Sequence, residues 1–261
     1  MNTALSIAGS DPSGGAGIQA DIKTFHAHGV FGMSAVTAVT VQNTQKVYSV
    51  HELNADIVYN QIIRLFEDAE IHGVKIGMVY DAKQIKAVAK ALNSVELPPV
   101  VLDPVMISKS GYPLLKNSAI DGLVHHLFPL ADIVTPNIDE AEILTKKNIA
   151  SIDDMKNAAY NIINMGANNV VIKGGHMKSD PGTDIFYDGT NFTILRSKWI
   201  NTINTHGTGC AFSSAITARM ALGEKLATAV LDAKNYITGA IKHSLPIGKG
   251  HGPVNHFYQI L

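Results

Sequence analysis

The sequence predicts an α/β fold in which helices cover both faces of a mostly parallel central sheet. Two observations support this prediction: short, wholly apolar segments of strand length recur along the chain, and amphipathic segments of helix length separate them. A strand that is apolar on all sides is typical of a parallel sheet buried between two helical layers. We find no linker, low-complexity tract or repeat, so residues 1–261 are expected to form one domain.

In the first part of the chain, each element has its own signal. Residues 4–8 form an apolar run that ends in glycines, which favours a strand. Apolar residues recur at helical spacing over 18–28, and Gly29 suits the position after the last turn of a helix. The same criteria predict, in order, a strand at 33–41, a helix at 56–69, a strand at 74–78, a helix that Asp81 caps and that ends at 92, and a strand at 100–102.

The second part of the chain continues this alternation. Helices are predicted at 117–128, 138–144 and 152–165, with strands at 132–135 and 169–173. Asp188-Gly189, between the short runs 184–187 and 192–195, predicts a β-hairpin. Two further helices are predicted at 208–220 and 224–243.

Loops that follow the strands are the expected place for chemistry, because ligands of such sheets bind beyond the carboxyl ends of the strands. In this chain these loops are 9–17, 42–46, 78–81, 103–116, 135–137, 174–183 and 201–209. The segment 106–116 is polar and contains glycine, which suits a mobile lid.

Composition and charge exclude several classes of protein. Lys and Arg number 21 against 22 Asp and Glu, so the net charge of −1 argues against a general nucleic-acid binder. One cysteine excludes an internal disulfide and fits a reducing compartment. The chain has no apolar run long enough for a membrane span and no basic, signal-like start, so we expect a cytoplasmic protein that does not bind membranes.

The first loop, Gly9-Ser10-Asp11-Pro12-Ser13-Gly14-Gly15-Ala16-Gly17, leads from a strand into a helix. Part of it matches the dinucleotide-binding fingerprint, but no carboxylate stands at the end of the next strand, so a nicotinamide or flavin site is disfavoured. A glycine-rich loop at a helix start favours negative charge nearby. The alternative is a tight turn with no ligand.

The second glycine cluster, Asn204-Thr205-His206-Gly207-Thr208-Gly209-Cys210, opens a helix rich in Ala and Ser. Its backbone N–H groups lack partners within the helix and form a cradle for an anion. A thiol in the first helical turn has its thiolate favoured by the helix dipole, which predicts a thiolate at Cys210 near pH 7. The alternative is that Cys210 is a small buried hydrophobic residue.

Three further strand ends carry polar residues, and two of them allow two interpretations each. Asn137 and Glu140 form either a capping box or a carboxylate held near a metal–phosphate centre. Lys173 ends a strand before two glycines and either contacts phosphate or emerges into solvent. Asp103 also ends a strand, and Asp21 in the first helix could simply complement the helix dipole.

Seven blocks in this order make the chain resemble the hydroxymethylpyrimidine/phosphomethylpyrimidine kinases of the ribokinase-like superfamily. The two most specific are Ala8-Gly9-Ser10-Asp11-x-Ser13-Gly14-Gly15-Ala16-Gly17-x-Gln19-Ala20-Asp21-x-Lys23 and residues 206–210. The others are Gln42-Asn43-Thr44, Lys75-x-Gly77-Met78, Asp103-Pro104-Val105-Met106, Thr135-Pro136-Asn137-x-x-Glu140-Ala141 and Ile172-Lys173-Gly174-Gly175.

The resemblance implies a ribokinase-like three-layer αβα fold, ATP as phosphoryl donor, Mg²⁺ and a homodimer. It also implies a small hydroxymethyl pyrimidine substrate, phosphorylated first to the monophosphate and then to the diphosphate. The residues implied in the pyrimidine pocket are Gly9, Ile18, Asp21, Gln42, Met78 and Val105. The amide of Gln42 suits this role because it offers a donor and an acceptor side by side, as an aminopyrimidine requires.

The resemblance also implies catalytic roles. Gly207, Thr208, Gly209 and Cys210 would hold the transferring phosphoryl group, with Cys210 in the place where sugar kinases of the superfamily carry an aspartate base. ATP would contact Asn137, Glu140, Lys173 and Thr208, and Mg²⁺ would be held by Glu140 and Asp103 through water.

Two other functions stay open from the residues alone. One is a pyridoxal or pyridoxine kinase, which performs the same chemistry on another hydroxymethyl heteroaromatic ring. The other is a regulator that binds a nucleotide or vitamin without turnover.

Overall fold

The computed structural model describes residues 1–108, 111–175, 177 and 179–260, and only the backbone of Asn117. Within these residues, nine strands form one sheet in the order β3-β2-β1-β4-β5-β6-β7-β8-β9. The strands are β1 Thr3–Ser10, β2 Phe31–Gln42, β3 Val47–Glu52, β4 Val74–Ile76, β5 Val100–Leu102, β6 Ile133–Val134, β7 Val170–Gly174, β8 Thr183–Tyr187 and β9 Phe192–Arg196.

In this order, neighbouring strands from β2 to β7 run parallel. At one edge of the sheet, β3 pairs antiparallel with β2. At the other edge, β8 pairs antiparallel with β7, and β9 pairs antiparallel with β8. The helices are α1 Gly17–Ala27, α2 Ala55–Asp68, α3 Ala82–Leu92, α4 Ile120–Leu127, α5 Ile138–Thr145, α6 Ile152–Asn164, α7 Thr208–Ala221 and α8 Leu226–Lys242. None of the helices in the described residues combines the length and apolarity needed to cross a membrane.

Side chains that alternate along the strands build a core on each face of the sheet. Leu102 and Val134 point toward α2 to α6, and Val101 and Ile133 point toward α7 and α8. Phe25 of α1 packs with the far end of α7 on this second face. The three-layer αβα prediction is therefore confirmed, with five helices on one face and three on the other.

Three local predictions need correction. Strand β3 was not predicted, because an edge strand that ends in His51 and Glu52 shows no continuous apolar run. The predicted helix 117–128 is shorter, since 3₁₀ turns at Asn117–Ala119 and Phe128–Leu130 flank α4. The predicted strand 74–78 ends at Ile76.

The proposed lid at 106–116 lies partly outside the described residues, which omit 109 and 110. In the described part, the N–H groups of Leu114 and Leu115 donate to the carbonyl of Met106 at 2.8 and 3.2 Å. Lid motion stays a prediction.

A buried ion pair joins the sheet to the second helical face. The ammonium of Lys75 in β4 lies 2.9 Å from the carboxylate of Asp21 in α1, and both side chains are 0% exposed. The hydroxyls of Ser6 in β1 and Ser214 in α7 donate to the same carboxylate at 2.6 and 2.7 Å. Four elements therefore meet at one charge pair directly beneath the carboxyl edge of the sheet.

Removing Lys75 tests how strongly this pair holds the fold. We expect Lys75→Met to lower the free energy of unfolding by about 3–5 kcal/mol, because Asp21 would stay buried without its counter-charge. Urea denaturation measures the change. The matched control, Lys75→Met with Asp21→Asn, should recover most of the loss, and a single variant as stable as the wild type would contradict this account.

Candidate active site

A cavity of about 610 Å³ opens at the carboxyl edge of the sheet. The loops after β2, β5, β6 and β7 line it, together with the start of α7 and the inner side of α8. Its volume is in the range typical of small-molecule sites. Parallel strands thus bring to one place residues that are far apart in the sequence.

The start of α7 is built as an anion cradle. Gly207 precedes the first turn with a φ of 76°, and a Cβ there would lie 1.7 Å from the carbonyl oxygen of Gly15. Among the described residues, the backbone N–H groups of Gly209 and Cys210 have no hydrogen-bond partner, and both residues line the cavity. Free N–H groups at the positive end of a 14-residue helix favour an anionic ligand.

Lys173 stands beside this cradle. Its ammonium lies 2.7 Å from a carboxylate oxygen of Asp103, and a Cβ on Gly209 would lie 3.3 Å from the same ammonium. Burial lowers the pKa of Lys173, but the Asp103 and Glu140 carboxylates outweigh burial and raise it above its ordinary value. The side chain is therefore a permanent cation next to the cradle, rather than a lysine that emerges into solvent.

Asn137 and Glu140 form the capping box of α5. The Asn137 side chain accepts a hydrogen bond from the Glu140 N–H at 2.8 Å, and the Glu140 carboxylate accepts one from the Asn137 N–H at 2.8 Å. Burial, reinforced by the Asp103 charge and opposed by Lys173, raises the pKa of Glu140 to about 7. The capping role does not exclude a role in ligand binding, because Asn137 and Glu140 both also line the cavity.

The donor set fits a magnesium ion that keeps most of its water. Asp103 and Glu140 place two carboxylates beside Lys173, and the described residues contain no cluster of three or more His, Cys, Asp or Glu side chains that could hold a metal. Mg²⁺ in phosphate-handling sites is bound through one or two carboxylates, phosphate oxygens and water.

The surroundings of Cys210 favour the neutral thiol over the predicted thiolate near pH 7. Burial raises the pKa of Cys210 to about 11; the Lys75 ammonium opposes this shift, and the Asp21 and Asp103 carboxylates add to it. Burial therefore outweighs the Lys75 ammonium, the hydrogen bond from the Gly17 N–H and the helix dipole, which all favour the thiolate.

Two of the six residues predicted for the substrate pocket line the cavity, and the other four are buried elsewhere. Gln42 and Val105 line the cavity. Gly9, Ile18, Asp21 and Met78 are buried and are not among the described residues that line the cavity; a Cβ on Gly9 would lie 2.9 Å from the sulfur of Met78. Asp21 departs most clearly from the prediction, because Lys75, Ser6 and Ser214 surround its carboxylate and no part of it is exposed.

The cavity also has apolar lining residues to which the sequence analysis assigned no role. Trp199, Ile237 and Ile241 line it, and Trp199 is 49% exposed. A lone tryptophan in a polar loop was the available signal for this surface. The sequence also gave Asp11 and His206 no role, although the structure brings them together.

Comparisons with known proteins agree with this geometry. The family model described as phosphomethylpyrimidine kinase matches residues 11–255. A hydroxymethylpyrimidine/phosphomethylpyrimidine kinase of Haemophilus influenzae is 50% identical over 260 residues, which cover 97% of this chain and 96% of the relative.

Two solved structures are similar over nearly the whole chain. The phosphomethylpyrimidine kinase of Clostridium difficile has a TM-score of 0.82 at 45% identity, covering 93% of this chain and 100% of that one. A Bacillus subtilis pyridoxal kinase, solved as an ADP complex, has a TM-score of 0.92 at 39% identity, covering 98% and 97%.

The single cysteine makes the protonation of Cys210 directly measurable. We expect its rate of alkylation by iodoacetamide to rise with pH to a midpoint near 11, because the thiol must first lose its proton. At pH 8 the rate should be on the order of one-thousandth of its limit. Cys210→Ser is the unreactive control, and a midpoint near 7 would show that the helix dipole dominates instead.

Proposed function

The chain belongs to the phosphomethylpyrimidine kinase family, and from this premise we propose that it is an ATP-dependent phosphotransferase. Its acceptor is 4-amino-5-hydroxymethyl-2-methylpyrimidine, followed by the monophosphate of that compound, for thiamine biosynthesis. The observation that carries the proposal is one cavity with Gln42 on its wall and Lys173 beside the N–H groups of α7 that have no partner in the described part of the chain.

Gln42 and Val105 suit the recognition of the pyrimidine. The primary amide of Gln42 can accept from the exocyclic amine and donate to the neighbouring ring nitrogen. Val105 adds an apolar surface against the ring. The buried residues Gly9, Ile18, Asp21 and Met78 would act on this pocket indirectly, Asp21 through the ion pair that fixes β4 and α1.

ATP is proposed to lie along the rest of the cavity. Trp199, Ile237 and Ile241 offer an apolar surface for the purine. Its phosphates would extend toward Lys173 and residues 207–210, with Asn137 and Thr208 at hydrogen-bonding positions along the way. Mg²⁺, when bound through water to Asp103 and Glu140, would neutralise phosphate charge.

Phosphoryl transfer needs positioning and charge stabilisation more than covalent chemistry. The N–H groups of Gly209 and Cys210 are aimed at developing negative charge, and the Lys173 cation complements them. Because burial favours the protonated Cys210 thiol at neutral pH, we assign it the orientation of the substrate hydroxyl rather than its deprotonation. A loose transition state makes little demand on a strong base.

We also propose that the chain acts as a cytoplasmic homodimer. Val39, Val41 and Tyr48 on the β2–β3 hairpin leave apolar side chains about half exposed at an edge of the sheet, and such a surface favours burial against a second copy. Its free thiol fits a reducing compartment. Light scattering should give twice the chain mass of 27.9 kDa, and a mass of one chain would contradict the dimer.

A pyridoxal kinase is the second candidate, favoured by the TM-score of 0.92 to the pyridoxal kinase structure. A pyridoxal kinase differs from the first candidate only in the ring of its substrate, because both enzymes phosphorylate a hydroxymethyl group.

Parallel turnover assays decide between these candidates. We expect ATP-dependent phosphorylation of the hydroxymethylpyrimidine and of its monophosphate, with a lower kcat/KM for pyridoxal, because Gln42 matches the donor and acceptor of an aminopyrimidine. Product masses identify each phosphorylation. A higher kcat/KM for pyridoxal would favour the second candidate, and binding of ATP without any product would favour a non-catalytic regulator.

A further inference from the structure

The segment that follows α8 docks on the loop after β2. We call residues 248–252 of this segment the brace, because they contact two loops of the candidate active site. The N–H of His251 donates to the carbonyl of Thr44 at 2.8 Å. The N–H of Gly250 donates to the Thr44 hydroxyl at 3.1 Å. Thr44 therefore binds the brace through its backbone and through its side chain.

The other end of the brace docks on the loop before α7. The N–H of His206 donates to the carbonyl of Gly252 at 3.0 Å, and the N–H of Gly252 donates to the side-chain oxygen of Asn204 at 3.2 Å. His206 directly precedes Gly207, the N-cap residue of α7. The brace thus joins the loop that follows Gln42 to the loop that leads into the anion cradle.

Glycine permits the close approach of the brace to Thr44. A Cβ on Gly250 would lie 2.2 Å from the carbonyl oxygen of Thr44 and 2.7 Å from Cα of Gln45. A Cβ on Gly248 would lie 2.3 Å from the Thr44 hydroxyl oxygen. Because the atoms met at residue 250 belong to the backbone, a side chain there must push the loop after β2 away from the brace.

A turn with its own hydrogen bonds connects Thr44 to Gln42. The N–H of Asn43 donates to the carbonyl of Lys46 at 3.1 Å. The side-chain oxygen of Asn43 accepts from the N–H groups of Gln45 and Lys46 at 2.9 and 3.2 Å. Gln42 is the last residue of β2, directly before this turn. A displacement of Thr44 is therefore passed on to Gln42, because the turn between them is held together.

We propose that Thr44 is a positioning residue, which holds Gln42 in place for the pyrimidine by docking on the brace. The inference rests on the proposed function, in which Gln42 binds that ring. Thr44 and Gln42 both line the cavity, whereas Gly250 is not among the described residues that do so. A change at residue 250 thus separates the docking of Thr44 from any direct contact between Thr44 and the ligand.

Two substitutions of Thr44 provide the first test. Thr44→Val keeps the branched shape and removes the hydroxyl that accepts from Gly250. We expect it to raise the KM for the hydroxymethylpyrimidine roughly 2- to 12-fold, the equivalent of one hydrogen bond, and to leave the KM for ATP unchanged. Thr44→Ser keeps the hydroxyl and should have the wild-type KM. A wild-type KM in Thr44→Val would overturn the inference alone, whereas a wild type that turns over no pyrimidine would overturn the proposed function as well.

Gly250→Ala supplies the second test, because it displaces Thr44 without changing a residue on the cavity wall. We expect its KM for the pyrimidine to rise about tenfold or more. The matched control is Gly122→Ala in α4, where a Cβ would meet nothing within 4 Å, and it should keep the wild-type KM. In a Gln42→Ala background, Thr44→Val should raise the KM no further. A further rise would show that Thr44 does not act through Gln42 and would overturn the inference.

Amide hydrogen exchange of the wild type covers the case in which the variants do not fold. If the docking of Thr44 favours binding of the pyrimidine, binding must favour the docking to the same extent. Saturation with the hydroxymethylpyrimidine should therefore slow exchange of the Gly250 and His251 amides at least about fivefold more than exchange of the Gly122 amide. Equal slowing of all three amides in the saturated protein would overturn the inference without any variant.

Discussion

The close backbone contact between the two glycine-rich loops is the constraint on which the site depends. The carbonyl oxygen of Gly15 occupies the space of any side chain at residue 207, and the carbonyl oxygen of Gly9 does the same at residue 17, where a Cβ would lie 2.3 Å away. Because only glycine permits this approach, helices α1 and α7 can begin side by side. Their starts then bring the proposed pyrimidine pocket and the anion cradle into one cavity.

The charges buried around this contact are largely paired within the fold. Lys75 pairs with Asp21 beneath the site, Lys173 pairs with Asp103 beside it, and Asp11 gathers donors from both loops. Because these pairs are neutral, the positive end that would meet an anion comes from the N–H groups at the start of α7, which is compatible with a formal net charge of −1. Burial also raises the pKa of Cys210 and so favours the thiol over the expected thiolate.

Local signals sufficed for most of the fold, because buried parallel strands are apolar on every side and helices carry their own caps, as at Asp81 and Asn137. They failed at β3, whose edge position allows polar residues. The site was predictable where chemistry follows a strand end, as at Lys173. The site was not predictable where a contact joins residues that are far apart in the sequence. Lys75 lies 54 positions from Asp21, and His206 lies 195 positions from Asp11.

A crystal structure with the hydroxymethylpyrimidine, ADP, Mg²⁺ and aluminium fluoride would show whether the start of α7 holds the transferring phosphoryl group, which the fluoride mimics. We expect the fluoride within hydrogen-bond distance of the Gly209 and Cys210 N–H groups and near the Lys173 ammonium. We also expect the substrate hydroxyl beside Cys210 and the Gln42 amide on the pyrimidine. A fluoride bound away from the start of α7, or a pyrimidine outside the reach of Gln42, would contradict this assignment of the site.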